Sequence, residues 1–179
     1  MLAYAQLNRH RFKESNVGHG DTSRIDPTRR RSQKLKDFGD LAGEIEVKIQ
    51  ELLPVMFERL GSTPFAASKF ELELVAHNDG AFYVRHKDTF TKTDGISSHR
   101  IISGVYYFHT QPKSFVGGVL RLHSLAATGE PGTFVDIEPD NDTLVFFPSW
   151  FPHEVLPVAC PSGRFEDSRF AINCWVHRN

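Results

Sequence analysis

The sequence has little cysteine, no long apolar run and almost no excess of charge of either sign. Its 179 residues include two cysteines, Cys160 and Cys174, which is too few for a disulfide framework or a zinc knuckle. No stretch approaches the ~18 consecutive apolar residues of a membrane span. A net charge of −1 provides no strong field to attract nucleic acid or an anionic membrane, so we expect neither as a partner.

The N-terminal segment lacks the apolar core and the small-residue cleavage site of a signal peptide. Together with the scarcity of cysteine, this predicts a reducing, cytoplasmic location. The basic run Thr28–Arg31 is short, and we interpret it as a solvated surface run. With 40% hydrophobic and 24% charged residues, the composition is typical of a globular protein. The length suits one domain spanning residues 1–179.

Residues 32–61 carry the apolar stripe of an amphipathic helix. Ser32 is a suitable N-cap and Gly61 a suitable stop, so we predict helical support over about 32–61. Pro54 is expected to kink or split this helix. The apolar residues that recur at steps of three and four are Leu35, Phe38, Leu41, Ile45, Ile49, Leu52, Leu53, Met56 and Phe57.

After Pro64 the apolar period changes from that of a helix to that of strands. Leu72 and Leu74 alternate with Glu71 and Glu73, which predicts a half-buried strand. A helical stretch followed by about eight strands predicts a mainly β protein, a sandwich or barrel backed by a helix. Further strands are predicted at 82–88, 100–109, 119–123, 133–137, 143–147, 153–158 and 169–176.

His86 and Asp88 occupy positions i and i+2 of a predicted strand. Such side chains point to the same face and lie close enough to bind one ion. His153 follows a buried-looking strand and a turn, which makes it the candidate third ligand. Two histidines and one carboxylate form the facial triad that holds Fe(II) and leaves coordination positions open.

Arg169 begins a predicted strand that consists otherwise of core residues. Burying an arginine without an anion is costly, and a guanidinium binds a carboxylate through two parallel hydrogen bonds. The carboxylate could belong to a keto-acid co-substrate or to an internal Asp or Glu, and the sequence pattern alone leaves both alternatives open.

The motifs occur in an order that closely resembles the 2-oxoglutarate- and Fe(II)-dependent dioxygenases, and their prolyl 4-hydroxylase-like group in particular. The resemblance covers about residues 70–177 and implies a double-stranded β-helix, or jelly roll, with the N-terminal helix region buttressing one sheet. The matching motifs are His86–Asp88, Arg100–Phe108, Gly117–Leu122, Asp136–Pro139, Leu144–Phe147, His153–Val155 and Arg169–Ile172.

The resemblance implies an iron enzyme in which His86, Asp88 and His153 are the metal ligands and the catalytic centre. The implied reaction hydroxylates an unactivated C–H bond with Fe(II), O₂ and 2-oxoglutarate as co-substrate. The co-substrate leaves as succinate and CO₂, and ascorbate is a further candidate cofactor.

The resemblance also implies a co-substrate pocket. Arg169 matches the basic residue that binds the distal carboxylate of 2-oxoglutarate. Tyr107 matches a tyrosine that hydrogen-bonds to the same carboxylate. Leu120, Asn173 and Trp175 fall where relatives line the pocket.

Two departures from the family pattern concern this pocket. Relatives often carry a tyrosine that contacts co-substrate or substrate where this chain has Ala76–Gly80, and the candidates here are His77 and Asn78. Arg164 lies nearer than Arg169 to the usual spacing from the second iron histidine. We prefer Arg169 because the strand pattern that follows the family's basic residue begins there.

A prolyl residue in a protein or peptide is the first substrate hypothesis from this resemblance, and a free amino acid or other small metabolite is the alternative. Segments 1–32, 89–99 and 110–116 are the expected determinants of substrate choice, and the polar loop 89–99 is a candidate lid. Two other function classes compete. A non-catalytic binding module would lack a metal ligand, and a cupin-like metal protein that does not use 2-oxoglutarate would not need Arg169 together with Tyr107.

Overall fold

The computed structural model describes residues 1–18, 23–89, 99–125 and 132–178, and most of its regular structure is antiparallel β. The two α-helices are α1 (Leu2–Leu7) and α2 (Asp40–Leu60). The strands are β1 (Lys13–Glu14), β2 (Arg30–Arg31), β3 (Gln33–Leu35), β4 (Lys69–His77), β5 (Phe82–His86), β6 (Arg100–Phe108), β7 (Val116–Gly117), β8 (Leu120–His123), β9 (Phe134–Ile137), β10 (Thr143–Pro148), β11 (His153–Val155), β12 (Val158–Ala159) and β13 (Arg169–His177). Short 3₁₀ turns cover Arg9–Arg11 and Phe165–Asp167.

The strands form two main sheets. One has six strands in the order β1-β3-β4-β13-β6-β10, and the other has five in the order β2-β5-β11-β8-β9. A small core that includes Tyr107, Leu120, Phe147 and Ala171 joins residues of both sheets, so the sheets face each other. The predicted mainly β jelly roll is confirmed.

Helix α2 covers the outer face of the six-stranded sheet. It buries Ile49, Leu53, Met56 and Phe57 because these positions share one face at helical spacing. They belong to the same core cluster as apolar side chains of β4, β6 and β13. This larger core fixes the sheet whose opposite face lines the candidate site.

The predicted helix start at Ser32 is wrong. Residues 33–35 form β3, which pairs with β4 through the partners Leu35 and Leu74, and the helix begins only at Asp40 after Gly39. Leu35 and Phe38 are buried in the same core as the helix. They therefore continue its apolar periodicity from a segment that is not helical.

The predicted helix stop is confirmed, and of the two outcomes predicted at Pro54, a kink or a split, the split does not occur. Gly61 adopts a left-handed conformation with φ 59° and donates its N–H to the Glu58 and Phe57 carbonyls, as a C-terminal cap does. Pro54 lies inside α2 without dividing it. Proline has no N–H to donate to the Gln50 carbonyl four positions earlier. Gln50 is exposed, so its carbonyl can bond to water instead.

Strand β4 is buried on both faces, which its alternating pattern did not predict. Leu72 and Leu74 face α2 in the larger core. Glu71, Glu73 and His77 line a cavity on the other side. The polar face of the strand is therefore the inside of the barrel and not the solvent face.

Two short elements also differ from the prediction. The six-residue helix α1 was not predicted, because fewer than two turns give little periodicity. The strand predicted at 153–158 is divided into β11, which pairs with β5 and β8, and β12, which pairs with β7. In the part of the chain that the structure describes, no helix is long and apolar enough to cross a membrane.

Candidate metal and co-substrate site

Two neighbouring strands of the five-stranded sheet bring His86, Asp88 and His153 together. His86 ends β5 and His153 begins β11, and the two residues are partners in the strand pairing. The ligand atoms of all three residues lie within 4.8 Å of one another. Asp88 Oδ1 is 3.7 Å from His86 Nε2, and Asp88 Oδ2 is 3.6 Å from His153 Nε2. The three side chains thus converge on one small volume.

Backbone carbonyls orient both imidazoles. His86 Nδ1 lies 2.9 Å from the Val84 carbonyl oxygen, and His153 Nδ1 lies 2.9 Å from the Phe151 carbonyl oxygen. Because a carbonyl can only accept, each Nδ1 carries the proton and donates it. Each Nε2 then presents a lone pair toward Asp88, which is the form in which histidine binds a metal.

The charges of the three groups also suit a cation. Burial and the neighbouring His153 lower the pKa of His86 to about 3, so the ring is neutral. Burial alone would raise the pKa of Asp88, but His153 and His86, with a hydrogen bond from Ser103, hold that pKa below its ordinary value. Ser103 Oγ donates to Asp88 Oδ2 at 2.6 Å and lies 2.9 Å from Ser149 Oγ.

This donor set fits Fe(II). Two neutral imidazoles and one carboxylate form the facial triad of non-haem iron sites and leave positions open for other ligands. The serine on the carboxylate and the carbonyls on the imidazoles are the supports that such ligands need. Among the described residues, these three form the one group of metal-ligating side chains that meets this geometry.

A cavity of about 110 Å³ extends from the ligands between the two sheets. The structure places all five predicted co-substrate residues on its wall. They are Tyr107, Leu120, Arg169, Asn173 and Trp175.

Arg169 is 2% exposed and makes no ion pair with any acidic residue in the described part of the chain. Its Nε has no hydrogen-bond partner there, and neither does the hydroxyl of Tyr107. The guanidinium carbon lies 4.7 Å from the centre of the Tyr107 ring. Burial lowers the pKa of Arg169, which reflects the cost of a buried cation without an anion. The internal salt bridge that the sequence left open is not formed within this part of the chain.

His77 completes this end of the cavity. Its Nδ1 lies 3.2 Å from Arg169 Nη1, and since a guanidinium can only donate, Nδ1 is the acceptor. Burial and the positive charge of Arg169 hold the pKa of His77 well below its ordinary value. The proton of the neutral ring is therefore on Nε2, which is buried and has no partner among the described residues.

The other two candidates from the sequence lie away from the cavity. Asn78 donates to the Arg164 carbonyl and to Ser168 Oγ, each at 2.8 Å. The side chain of Arg164 is 64% exposed and pairs with Asp167 at 2.9 Å. Neither residue is on the cavity wall, so among these candidates His77 and Arg169 are the ones that face it.

Gly118 provides the space for Arg169. Its φ is +68°, and a Cβ at this position would lie 2.6 Å from Arg169 Cδ and 2.8 Å from Val158 Cγ2. Such contacts are shorter than atoms tolerate. The glycine thus admits a close approach of the backbone, and the neighbour is the buried arginine.

Another part of the cavity wall, formed by β2, β3 and β4, carries a buried ionic cluster that the sequence did not predict. Glu73 binds Arg30 Nη2 at 2.7 Å and Lys34 Nζ at 3.0 Å. Arg30 is 8% exposed, so the interpretation of the basic run as solvated is wrong for this residue. Its guanidinium lies 4.9 Å from the Tyr83 ring centre, and that ring stacks on His86 at 3.6 Å. The one sequence signal for this cluster was Glu73, which alternates with the apolar residues of β4. It lies on the face of β4 that lines the cavity.

The segments expected to choose the substrate are only partly described. Most of the candidate lid, residues 90–98, lies outside the described residues. Within the first segment, Asn16, Gly18 and Arg30 line the cavity.

Comparison with known proteins gives consistent results. A model of the 2OG-Fe(II) oxygenase superfamily matches residues 72–177. A protein from Synechocystis, described as an uncharacterized PKHD-type hydroxylase, is 38% identical over 151 residues, which are 82% of this chain and 48% of that relative. The chain therefore spans about half the length of this relative.

Solved structures share the fold. A prolyl-4-hydroxylase from Pseudomonas putida is 27% identical, with a TM-score of 0.64 over 99% of this chain and 85% of that chain. A prolyl hydroxylase from Trichoplax adhaerens, solved with a hypoxia inducible factor peptide fragment, is 22% identical, with a TM-score of 0.68 over 97% of this chain and 74% of that chain. The second likeness concerns the fold alone.

Proposed function

Because this chain belongs to the 2OG-Fe(II) oxygenase superfamily, we propose that His86, Asp88 and His153 hold the iron at which it hydroxylates an unactivated C–H bond. The superfamily uses Fe(II), 2-oxoglutarate and O₂. We further propose that residues 1–179 act as one domain, with a core at about 70–177. The helical support begins at Asp40 and not at Ser32.

One observation carries the proposal: the buried Arg169 has no carboxylate partner in the described chain and lies in the same cavity as the three candidate ligands. The distal carboxylate of 2-oxoglutarate would supply the missing anion. Arg169 Nε and the Tyr107 hydroxyl are the unpartnered donors for it. A cupin-like protein without this co-substrate would leave both groups buried and unsatisfied, which is costly.

The remaining residues position and enclose the co-substrate. His77 holds the guanidinium by accepting from Nη1. Leu120, Asn173 and Trp175 form the wall around it. When bound, iron and 2-oxoglutarate supply the oxidation, in which one oxygen atom of O₂ enters the substrate and the other enters succinate. The protein's part is to orient these groups and to exclude water from a largely buried cavity.

A prolyl residue of a protein or peptide is the proposed substrate. The similarity to the Pseudomonas putida prolyl-4-hydroxylase supports it, as does the PKHD-type hydroxylase name of the Synechocystis relative. A free amino acid or other small metabolite is the second candidate.

The test is a turnover assay with Fe(II), 2-oxoglutarate, O₂ and ascorbate. The substrates are a library of proline-containing peptides and, separately, the free amino acids. The expected result is succinate formation that depends on one peptide, which gains one oxygen atom on its proline by mass spectrometry. Oxygen gain on a free amino acid alone would establish the second candidate. Absence of succinate in every reaction, with metal and 2-oxoglutarate shown to be bound, would contradict both.

A further inference from the structure

The part of the cavity wall formed by β2, β3 and β4 carries more positive charge than negative. Arg30 and Lys34 share the single carboxylate of Glu73, one cation on each oxygen. The side chains of all three are nearly buried, with exposures of 8%, 11% and 5%. Two cations and one anion leave one positive charge in a site where charge is poorly solvated.

The metal and the co-substrate do not need this charge. In the proposed complex, the two charges of Fe(II) and the one of Arg169 balance Asp88 and the two carboxylates of 2-oxoglutarate. The co-substrate is anchored on the six-stranded sheet by Arg169. Lys34 and Glu73 lie on the same sheet as Arg169 but on the other strands β3 and β4. Because the co-substrate does not use their cluster with Arg30, the positive charge of the cluster remains for the primary substrate.

The cluster lies next to the metal ligands. Arg30 contacts the ring of Tyr83, and the same ring stacks on His86. Lys34 and Arg30 line the same cavity as His86 and His153. A group bound at this wall is thus held one aromatic ring away from the candidate metal centre.

The rim of the cavity has the same sign of charge. Lys36 and Lys87 line it and are exposed. Neither forms an ion pair with an acidic side chain in the described ranges. Positive charge along the way into a cleft attracts anions and raises their association rate.

We infer that the primary substrate presents a carboxylate to Lys34 and Arg30, beside the target C–H bond. This inference rests on the proposed function. The carboxylate can come from two sources, the α-carboxylate of a free amino acid or the side chain of an acidic residue next to the target in a peptide. Lys34 is the principal anchor because its ammonium donates to Glu73 Oε2 and Asn16 Oδ1 and has a third proton to donate.

Lys34→Met is the variant that tests the anchor. Glu73 keeps Arg30 as its partner, so the substitution leaves a neutral buried pair and no unpaired charge. Lys34→Arg retains the cation. Lys13→Met is the matched control, because Lys13 is the strand partner of Lys34 in β1, is exposed and does not line the cavity.

The probes are two pairs of ligands that differ only in charge. One pair is L-proline and L-prolinamide. The other is a short peptide with Pro-Asp and the same peptide with Pro-Asn. Binding is measured by isothermal titration calorimetry on protein loaded with Zn(II) and 2-oxoglutarate, and the affinity for 2-oxoglutarate is measured separately on the same samples.

The expected result is that one carboxylate probe binds at least about 10-fold more tightly than its amide. This is the difference in affinity that one hydrogen bond to a charged group contributes. Lys34→Met removes this preference, whereas Lys34→Arg and Lys13→Met retain it. The pair that shows the preference identifies the source of the carboxylate. Equal binding of acid and amide in both pairs, or a preference that persists in Lys34→Met, would overturn the inference.

The measurement separates this inference from the proposed function. If 2-oxoglutarate does not bind to the metal-loaded protein, the proposed function fails, and the probes are then compared on the Zn(II) form alone. If 2-oxoglutarate binds and the probes show no preference for the acid, the co-substrate site stands and the carboxylate anchor fails.

Discussion

His77 and Arg169 are strand partners on β4 and β13, and the guanidinium donates from Nη1 to the imidazole Nδ1 at 3.2 Å. The histidine is neutral because burial and the adjacent cation disfavour its protonation. It therefore fixes the arginine without neutralising it. Arg169 keeps its full charge for a ligand, and its orientation is set before the ligand arrives.

His77→Phe is expected to weaken 2-oxoglutarate binding. The variant removes the acceptor of Arg169 Nη1, and the loss of one buried hydrogen bond to a charged group costs about 1.5 kcal/mol or more, which is roughly 10-fold in Kd. Titration calorimetry with the metal-loaded protein measures it. His109→Phe is the control, because His109 is also buried with an unpartnered Nε2 but does not line the cavity. Equal 2-oxoglutarate affinity in wild type and His77→Phe would show that His77 has no positioning role.

The neutral His77 also predicts a pH dependence of stability. Burial and the neighbouring cation hold its pKa well below the ordinary value in the folded protein, whereas the unfolded chain binds a proton as pH falls through about 6.5. The free energy of unfolding therefore decreases below this pH, by up to about 1.4 kcal/mol per pH unit. Urea unfolding at about pH 7.5 and about pH 5 should show a smaller decrease in His77→Phe than in wild type. Identical decreases would mean that His77 titrates normally in the fold.

Gly118→Ala is expected to displace Arg169. The new Cβ would lie 2.6 Å from Arg169 Cδ, at a residue whose φ is +68°. Gly163→Ala is the matched control, since φ is +61° there and nothing lies within 4 Å of its Cβ. Both variants carry the backbone cost of about 1–2 kcal/mol for a left-handed residue. Only Gly118→Ala should also raise the Kd of 2-oxoglutarate, by about 10-fold or more. If both variants bind 2-oxoglutarate alike, the close approach has no bearing on the arginine.

Ser103→Ala is expected to weaken metal binding. Ser103 donates to Asp88 Oδ2 at 2.6 Å and so orients the carboxylate. Loss of such a support costs roughly 10–100-fold in metal affinity. Anaerobic titration with Fe(II) or Co(II) gives the Kd. In the control Ser62→Ala, the deleted hydroxyl has no partner among the described residues, and the affinity should not change. An unchanged metal Kd in Ser103→Ala would rule out the supporting role.

Local patterns in the sequence predicted most of the barrel. The alternation in β4 was enough to place this strand, because each strand must bury one apolar face. The start of α2 was mispredicted because Leu35 and Phe38 are buried against the same core from outside the helix. Periodicity reports which residues are buried, and it does not report which element buries them.

The candidate site was predictable only where its residues have a local spacing or a family motif. His86 and Asp88 share a strand face, whereas the cluster of Arg30, Lys34 and Glu73 is assembled by pairing of β2 with β5 and of β3 with β4. The pairing of distant segments leaves no local signal, and only Glu73, by its alternation in β4, marked one member of the cluster. The role of Ser103 as donor to Asp88 likewise depends on the approach of residues from separate strands.

The central claim is that Arg169 binds the distal carboxylate of a 2-oxoglutarate chelated by the metal at His86, Asp88 and His153. The most direct measurement is anaerobic titration of the purified protein with Fe(II) and then 2-oxoglutarate, in which the visible charge-transfer band of the chelated keto acid is followed. Wild type and the exposed control Arg164→Ala should form the band at the same 2-oxoglutarate concentration, and Arg169→Ala should require at least about 10-fold more. A protein that binds Fe(II) but forms no band, or an Arg169→Ala variant that titrates like wild type, would contradict the claim.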